Sequence, residues 1–196
     1  MRTINLLEAD EAATRGSVAV VAQVAPPDLA RPTPCARWDL RALLAHMTVQ
    51  HRGFAAAAAG RGGDPDVWQP VSSFEHPVAA YLAATAEVLS AFAEPGVLDR
   101  EFVLPEIPRQ PSFPGRVAIG FHLVDYVVHG WDVAQTIGVP YTPPDEVVAT
   151  ALPVARAVPD GPFRLDEGAA FAPARTVPAG ASALDEILLL LGRDPR

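Results

Sequence analysis

Apolar residues recur at helical spacing in four long segments, and links rich in proline, glycine and polar residues separate them. Segment 3–24 carries Leu6, Ala9, Ala13, Val20 and Val24, with Glu8, Asp10, Glu11 and Arg15 between them, and Pro26 and Pro27 end it. Segment 39–60 opens on Asp39, whose carboxylate suits a helix N-cap. Leu40, Leu43, Leu44, Met47 and Phe54 form its apolar stripe, and it stops near Gly60. A third helix is predicted over 77–93 through Val78, Tyr81, Leu82, Leu89 and Phe92. A fourth is predicted over 116–137, with Gly138 as its stop. The link 105–114 holds four prolines, which rules out an ordinary helix interior there.

The last third is less regular. Residues 143–158 suggest a short helix with an awkward internal Pro153. Residues 162–178 suit either a strand pair or an extended arm. Segment 182–192 predicts a short apolar helix with Ser182 as N-cap, either capping the bundle or burying against a partner chain. The expected architecture is an all-α four-helix bundle over residues 1–140. An extension, 141–196, packs on it, with short strands as one option and a terminal helix.

Composition narrows the functional classes. The chain has 196 residues, 49% hydrophobic and 19% charged, which suits one globular domain with a real core. Its 23 acids and 15 bases give a net charge of -8, which argues against nucleic acid and anionic membranes as partners. All 15 bases are arginine, so Schiff-base lysine and P-loop chemistry are excluded. Cys35 is the only cysteine, which excludes an intrachain disulfide and any zinc site built on two cysteines. The acidic N-terminus shows no secretory signal, and no apolar run is long enough to span a membrane. A soluble cytoplasmic protein, monomer or homodimer, acting on a small molecule is the expectation.

The fourth helix carries the candidate chemistry. Asp125 and His129 are four residues apart, so they share one face and can reach one ion. His122 lies about 10.5 Å along the axis from His129, too far to share that ion. His46, on the second helix, is the candidate third ligand, since ligands from facing helices converge in a bundle core. His51 lies about 140° further round that helix and should face elsewhere. His76 precedes the third helix and suits solvent or a cap. The same residues also suit a plainer arrangement, with Asp125 and His129 as a surface pair and His46 as a core histidine. Asp132, three residues after His129, is placed either as a hydrogen-bond partner of a ligand imidazole or as a packing aspartate. Trp38, Trp68 and Trp131 read as packing residues and Cys35 as a small hydrophobe. Arg37, Arg41 and Arg116 are candidates for holding a substrate carboxylate.

Three motifs in order resemble one family. TPCARWDLRALLAHM (33–47) is similar to an element, TPC-x-x-W-x-[VL]-R-x-L-L-x-H, of the DinB-like superfamily. The branch is that of the N-terminal domain of mycothiol-dependent maleylpyruvate isomerase and related actinobacterial metal-binding proteins. DYVVHGWDVAQTIG (125–138) and LDEILLLLGRDP (184–195) resemble that branch's last bundle helix and its closing segment. The resemblance implies a DinB-like four-helix bundle with His46, Asp125 and His129 as metal ligands. The family usually has Glu or His where this chain has Asp125, a shorter stem. Its usual arginine before the final leucines is replaced by Glu186 or Ile187.

Two histidines and a carboxylate suit Zn²⁺ with an open position, and also accept Ni²⁺ or Fe²⁺. The resemblance further implies a low-molecular-weight thiol cosubstrate, mycothiol. The favoured function is a metal-dependent thiol S-transferase or isomerase acting on a small electrophile. A thiol-independent metalloenzyme, such as a hydrolase or tailoring enzyme, and a non-catalytic binding bundle are the alternatives.

Overall fold

The computed structural model describes residues 4–35, 38–69, 75–107, 110–166 and 169–195. Helix α1 is Leu6–Val21, and a reciprocal cap starts it: Glu8 N–H donates to the Asn5 side chain, and Asn5 N–H to the Glu8 carboxylate. The expected start at Thr3 lies outside the described residues. Helix α2 is Leu40–Ala58, and Asp39 caps it by accepting from Ala42 N–H at 2.8 Å. Helix α3 is Pro77–Phe92, with proline where its missing N–H is harmless. Helix α4 is Gly115–Ile137 and ends on Gly138 in the left-handed conformation. The most extensive pairings are α1 with α4 and α2 with α3; α2 also meets α4, and α1 meets α3. The four helices form the expected bundle.

The stripe of Leu40, Leu43, Leu44 and Met47 is fully buried against Tyr81, Tyr126, Val133 and Ala134. That contact locks the rotation of α2 relative to α4. Strands β1 (Glu101–Phe102) and β2 (Phe113–Pro114) pair antiparallel across the proline-rich link, bringing Phe102 and Phe113 into the core.

Helix α5 (Asp145–Ala157) continues through the internal Pro153. Pro153 and Ala149 are both exposed, so solvent can satisfy the Ala149 carbonyl that the proline leaves without a donor. Helix α6 (Ala183–Leu190) is capped by Ser182 as expected. Its Ile187, Leu188 and the following Leu191 join Ala9, Ala13, Leu123, Val127 and Trp131 in one core cluster. The apolar terminal helix therefore caps the bundle within one chain.

The strand option for the C-terminal segment is corrected. The described residues of 141–196 contain no strand; they show a short 3-10 turn, Pro162–Leu165, followed by an extended arm. Arg164 is the physical reason. Its guanidinium donates to the carbonyls of Val158, Pro159, Ala172 and Leu190, so the segment is held by bonds from one side chain to the backbone and not by a partner strand. Among the described residues no helix is long and apolar enough to cross a membrane.

Candidate metal centre

Packing of α2 on α4 turns His46 towards Asp125 and His129, which lie one turn apart on α4. Nε2 of His129 is 3.3 Å from Oδ1 of Asp125. One ligand atom from each of His46, Asp125 and His129 lies within 4.8 Å of the other two. Tetrahedral ligands at about 2.1 Å from zinc sit about 3.4 Å apart. The His129–Asp125 separation already matches this, so the group can hold a metal ion. The His46 imidazole makes ring contacts with Trp38, at 4.4 Å, and edge-on with His129, at 5.3 Å. It makes no hydrogen bond among the described residues, which leaves its ring nitrogens available.

Exposure sets the direction of access. His129 is 1% exposed and Asp125 19%, and His46 is half-buried, so the group opens on the Asp125 and His46 side. Burial, then the neighbouring His129 charge, holds His46 down at about 4, so it is neutral at pH 7. Burial opposes the charge on His129, but Asp125 and Asp132 outweigh it and raise the imidazole to about 9. Burial likewise opposes the charge on Asp125, and His129 overrides it to hold the carboxyl at about 2. The metal-free centre is thus an ion pair with a neutral imidazole beside it.

Asp132 lies within hydrogen-bond reach of the His129 imidazole. Nδ1 of His129 donates to its Oδ2 at 2.9 Å, which turns Nε2 towards Asp125. Gly130 lets the helix approach Tyr141, because a Cβ there would sit 2.7 Å from the Tyr141 hydroxyl. Trp131 is buried against α1, α5 and α6, as packing required. Cys35 is half-buried, and its carbonyl accepts from Trp38 N–H and from the Thr33 hydroxyl. Those bonds shape the turn that presents Trp38 to His46.

The other histidines stand apart, as their spacing required. His122 Nδ1 hydrogen-bonds Asp10 at 2.6 Å, and its Nε2 meets His51 Nδ1 at 3.0 Å. All three side chains are in the bundle core, and His51 stacks on Tyr126 at 3.9 Å. His76 is exposed at the start of α3 and makes no capping bond.

Arg37 lies outside the described residues. Arg41 is exposed, and Arg116 pairs with Asp99 on the surface. Among the described residues Arg193 lies beside the centre, and its Nη2 donates to Asp132 at 2.8 Å. Its signal was the GRDP ending, but nothing in the pattern ties that arginine to a helix some 60 residues away. Glu106 was also missed. It comes from the β1–β2 link and accepts from Gln50 Nε2 at 2.7 Å, Gln50 being one turn beyond His46. Burial, and then the Asp125 charge, raise its carboxyl above the ordinary range.

Comparison with known proteins gives a family match. The model of the Mycothiol maleylpyruvate isomerase N-terminal domain matches residues 11–134. Two proteins of Mycobacterium tuberculosis are each 30% identical over 190 residues, 97% of this chain and 98% of theirs. Their names are Uncharacterized protein MT0763, from strain CDC 1551, and Uncharacterized protein Rv0738, from strain H37Rv. No solved structure matches the chain.

Proposed function

The chain belongs to the mycothiol maleylpyruvate isomerase N-terminal domain family, and from that premise we propose that it is a zinc-dependent thiol transferase or isomerase. It uses mycothiol as cosubstrate and acts on a small electrophile. The observation that carries the reading is the convergence of His46, Asp125 and His129 on one point, with access from one side.

A divalent cation bound there supplies a positive charge that deprotonates a coordinating thiol, which is otherwise mostly protonated at pH 7. The chain's own residues supply the rest. His46 offers a neutral nitrogen without first losing a proton. Asp132 keeps the Nδ1 proton on His129 and so leaves Nε2 as the ligand atom. Trp38 packs against the His46 ring at 4.4 Å. Gln50, one turn beyond His46, donates to Glu106, and this pair would offer polar atoms to a substrate that reaches it. An activated thiol attacks an electrophilic carbon, either displacing a leaving group or adding to an activated alkene. Addition, rotation and elimination would isomerise a cis alkene. No lysine, nucleic acid or membrane enters this scheme.

The test is elemental analysis of untagged protein, wild type beside His46→Ala, followed by mycothiol consumption with electrophiles. About one zinc per chain, lost in the variant, with thiol consumed only by loaded protein, is the expected result. Asp125→Ala and His129→Ala should also lose metal with the helix content intact, whereas Asp125→Glu should keep it. Zinc binding without thiol consumption would favour a thiol-independent metalloenzyme. Failure to bind zinc, nickel or iron would leave only a binding bundle.

A further inference from the structure

We propose that Arg193 is a positioning residue of the metal centre. It clamps Asp132, and Asp132 in turn fixes the His129 imidazole with Nε2 facing Asp125. The inference rests on the metal-binding reading above. It also makes the C-terminal extension part of the centre, although Arg193 lies outside the matched residues 11–134.

The contacts form one buried line. Arg193 is 3% exposed, Asp132 0% and His129 1%. Nη2 of Arg193 donates to Asp132 Oδ2 at 2.8 Å, and Nε reaches both carboxylate oxygens at 3.3 Å. The same Oδ2 accepts from His129 Nδ1 at 2.9 Å. A guanidinium fork gripping both oxygens fixes the carboxylate plane, and that plane fixes the imidazole.

The chain is built to deliver this side chain. Gly192 has φ +81°, and a Cβ there would lie 2.7 Å from Ala172 Cβ, so the turn after α6 needs glycine. Past that turn, Arg193 N–H donates to the Leu188 carbonyl and Nη1 to the Leu191 carbonyl. Arg164 ties down both sides of the turn through the Ala172 and Leu190 carbonyls.

The test compares zinc affinity, by chelator competition on the full chain, in wild type, Arg193→Gln, Arg193→Lys, Asp132→Asn and the double variant Asp132→Asn/Arg193→Gln. NMR of the His129 Nδ1 proton, with the His122 ring as internal control, reads positioning directly and without metal. Arg193→Gln should weaken zinc binding about 10- to 100-fold and shift the His129 Nδ1 signal while the His122 ring stays unchanged. Arg193→Lys should recover part of the affinity. The double variant should lose no more than Asp132→Asn alone, since both act through one carboxylate. Wild-type affinity and an unchanged Nδ1 signal in Arg193→Gln would overturn the proposal, as would additive losses in the double variant. If Arg193→Gln fails to fold, Arg193→Lys decides by the same two readouts. A wild type that binds no zinc would sink the proposed function, and the Nδ1 signal would still decide whether Arg193 positions the ring.

Discussion

Raising the pH of metal-free protein from 6.5 to 9 should progressively destabilise it, and His129 should be the cause. In the fold its imidazole titrates at about 9, raised by Asp125 and Asp132 against the opposing effect of burial, compared with 6.5 for an unperturbed histidine. A group whose folded pKa is raised stabilises fully below its unfolded pKa, and that stability is lost as the pH climbs through the folded value. The window is therefore pH 6.5 to 9, and the two values bound the loss at about 3 kcal/mol, with a slope of up to about 1.4 kcal/mol per pH unit. His46 acts on the other side. Its folded value of about 4 lies below 6.5, so its contribution is present above pH 6.5 and is lost as the pH falls towards 4. The assay is urea unfolding of chelator-treated protein at half-unit pH steps, wild type beside His129→Gln. The wild type should lose stability across the window while the variant, which has no imidazole to titrate, stays flatter. Parallel curves for the two proteins between pH 6.5 and 9 would refute the reasoning.

Two further outcomes follow from the packing. Asp10→Ala leaves His122 Nδ1 buried without its 2.6 Å partner, and should cost about 2 kcal/mol in urea unfolding with zinc binding retained. A loss of under half that size would show that water replaces the carboxylate. Gly130→Ala drives a methyl against the Tyr141 ring and should cost about 1–3 kcal/mol. The same change in a Tyr141→Ala background should cost less, and equal costs in the two backgrounds would place the strain elsewhere.

Helix positions were legible because each rests on local chemistry. Asp39 and Ser182, the caps read from the sequence, each cap a helix with a side chain that reaches only three residues ahead, and Asn5, which was not read, does the same for α1. Asp125 and His129 share a face through helix geometry alone. The strand option after Pro162 failed because Arg164 holds the segment through carbonyls near it in sequence, those of Val158, Pro159 and Ala172, and through the distant Leu190, and hydrophobic periodicity reports none of these bonds. Pro153 looked awkward in sequence, yet its cost depends on whether the freed carbonyl meets water, a matter of burial.

The centre divides in the same way. Sequence spacing by itself determined that Asp125, His129 and Asp132 can act together on one helix, since a turn of helix leaves little choice. It also excluded His122 from that ion by rise along the axis. Only the tertiary structure decided that His46 faces the pair, because the rotation of α2 depends on burying Leu43, Leu44 and Met47 against α4. Only the tertiary structure brought Arg193 to Asp132 and Glu106 to Gln50. Those contacts join segments about 60 residues apart, and periodicity along a chain carries no information about which distant segments close on each other. That closure is set by the sum of buried apolar area and satisfied polar groups over the whole fold.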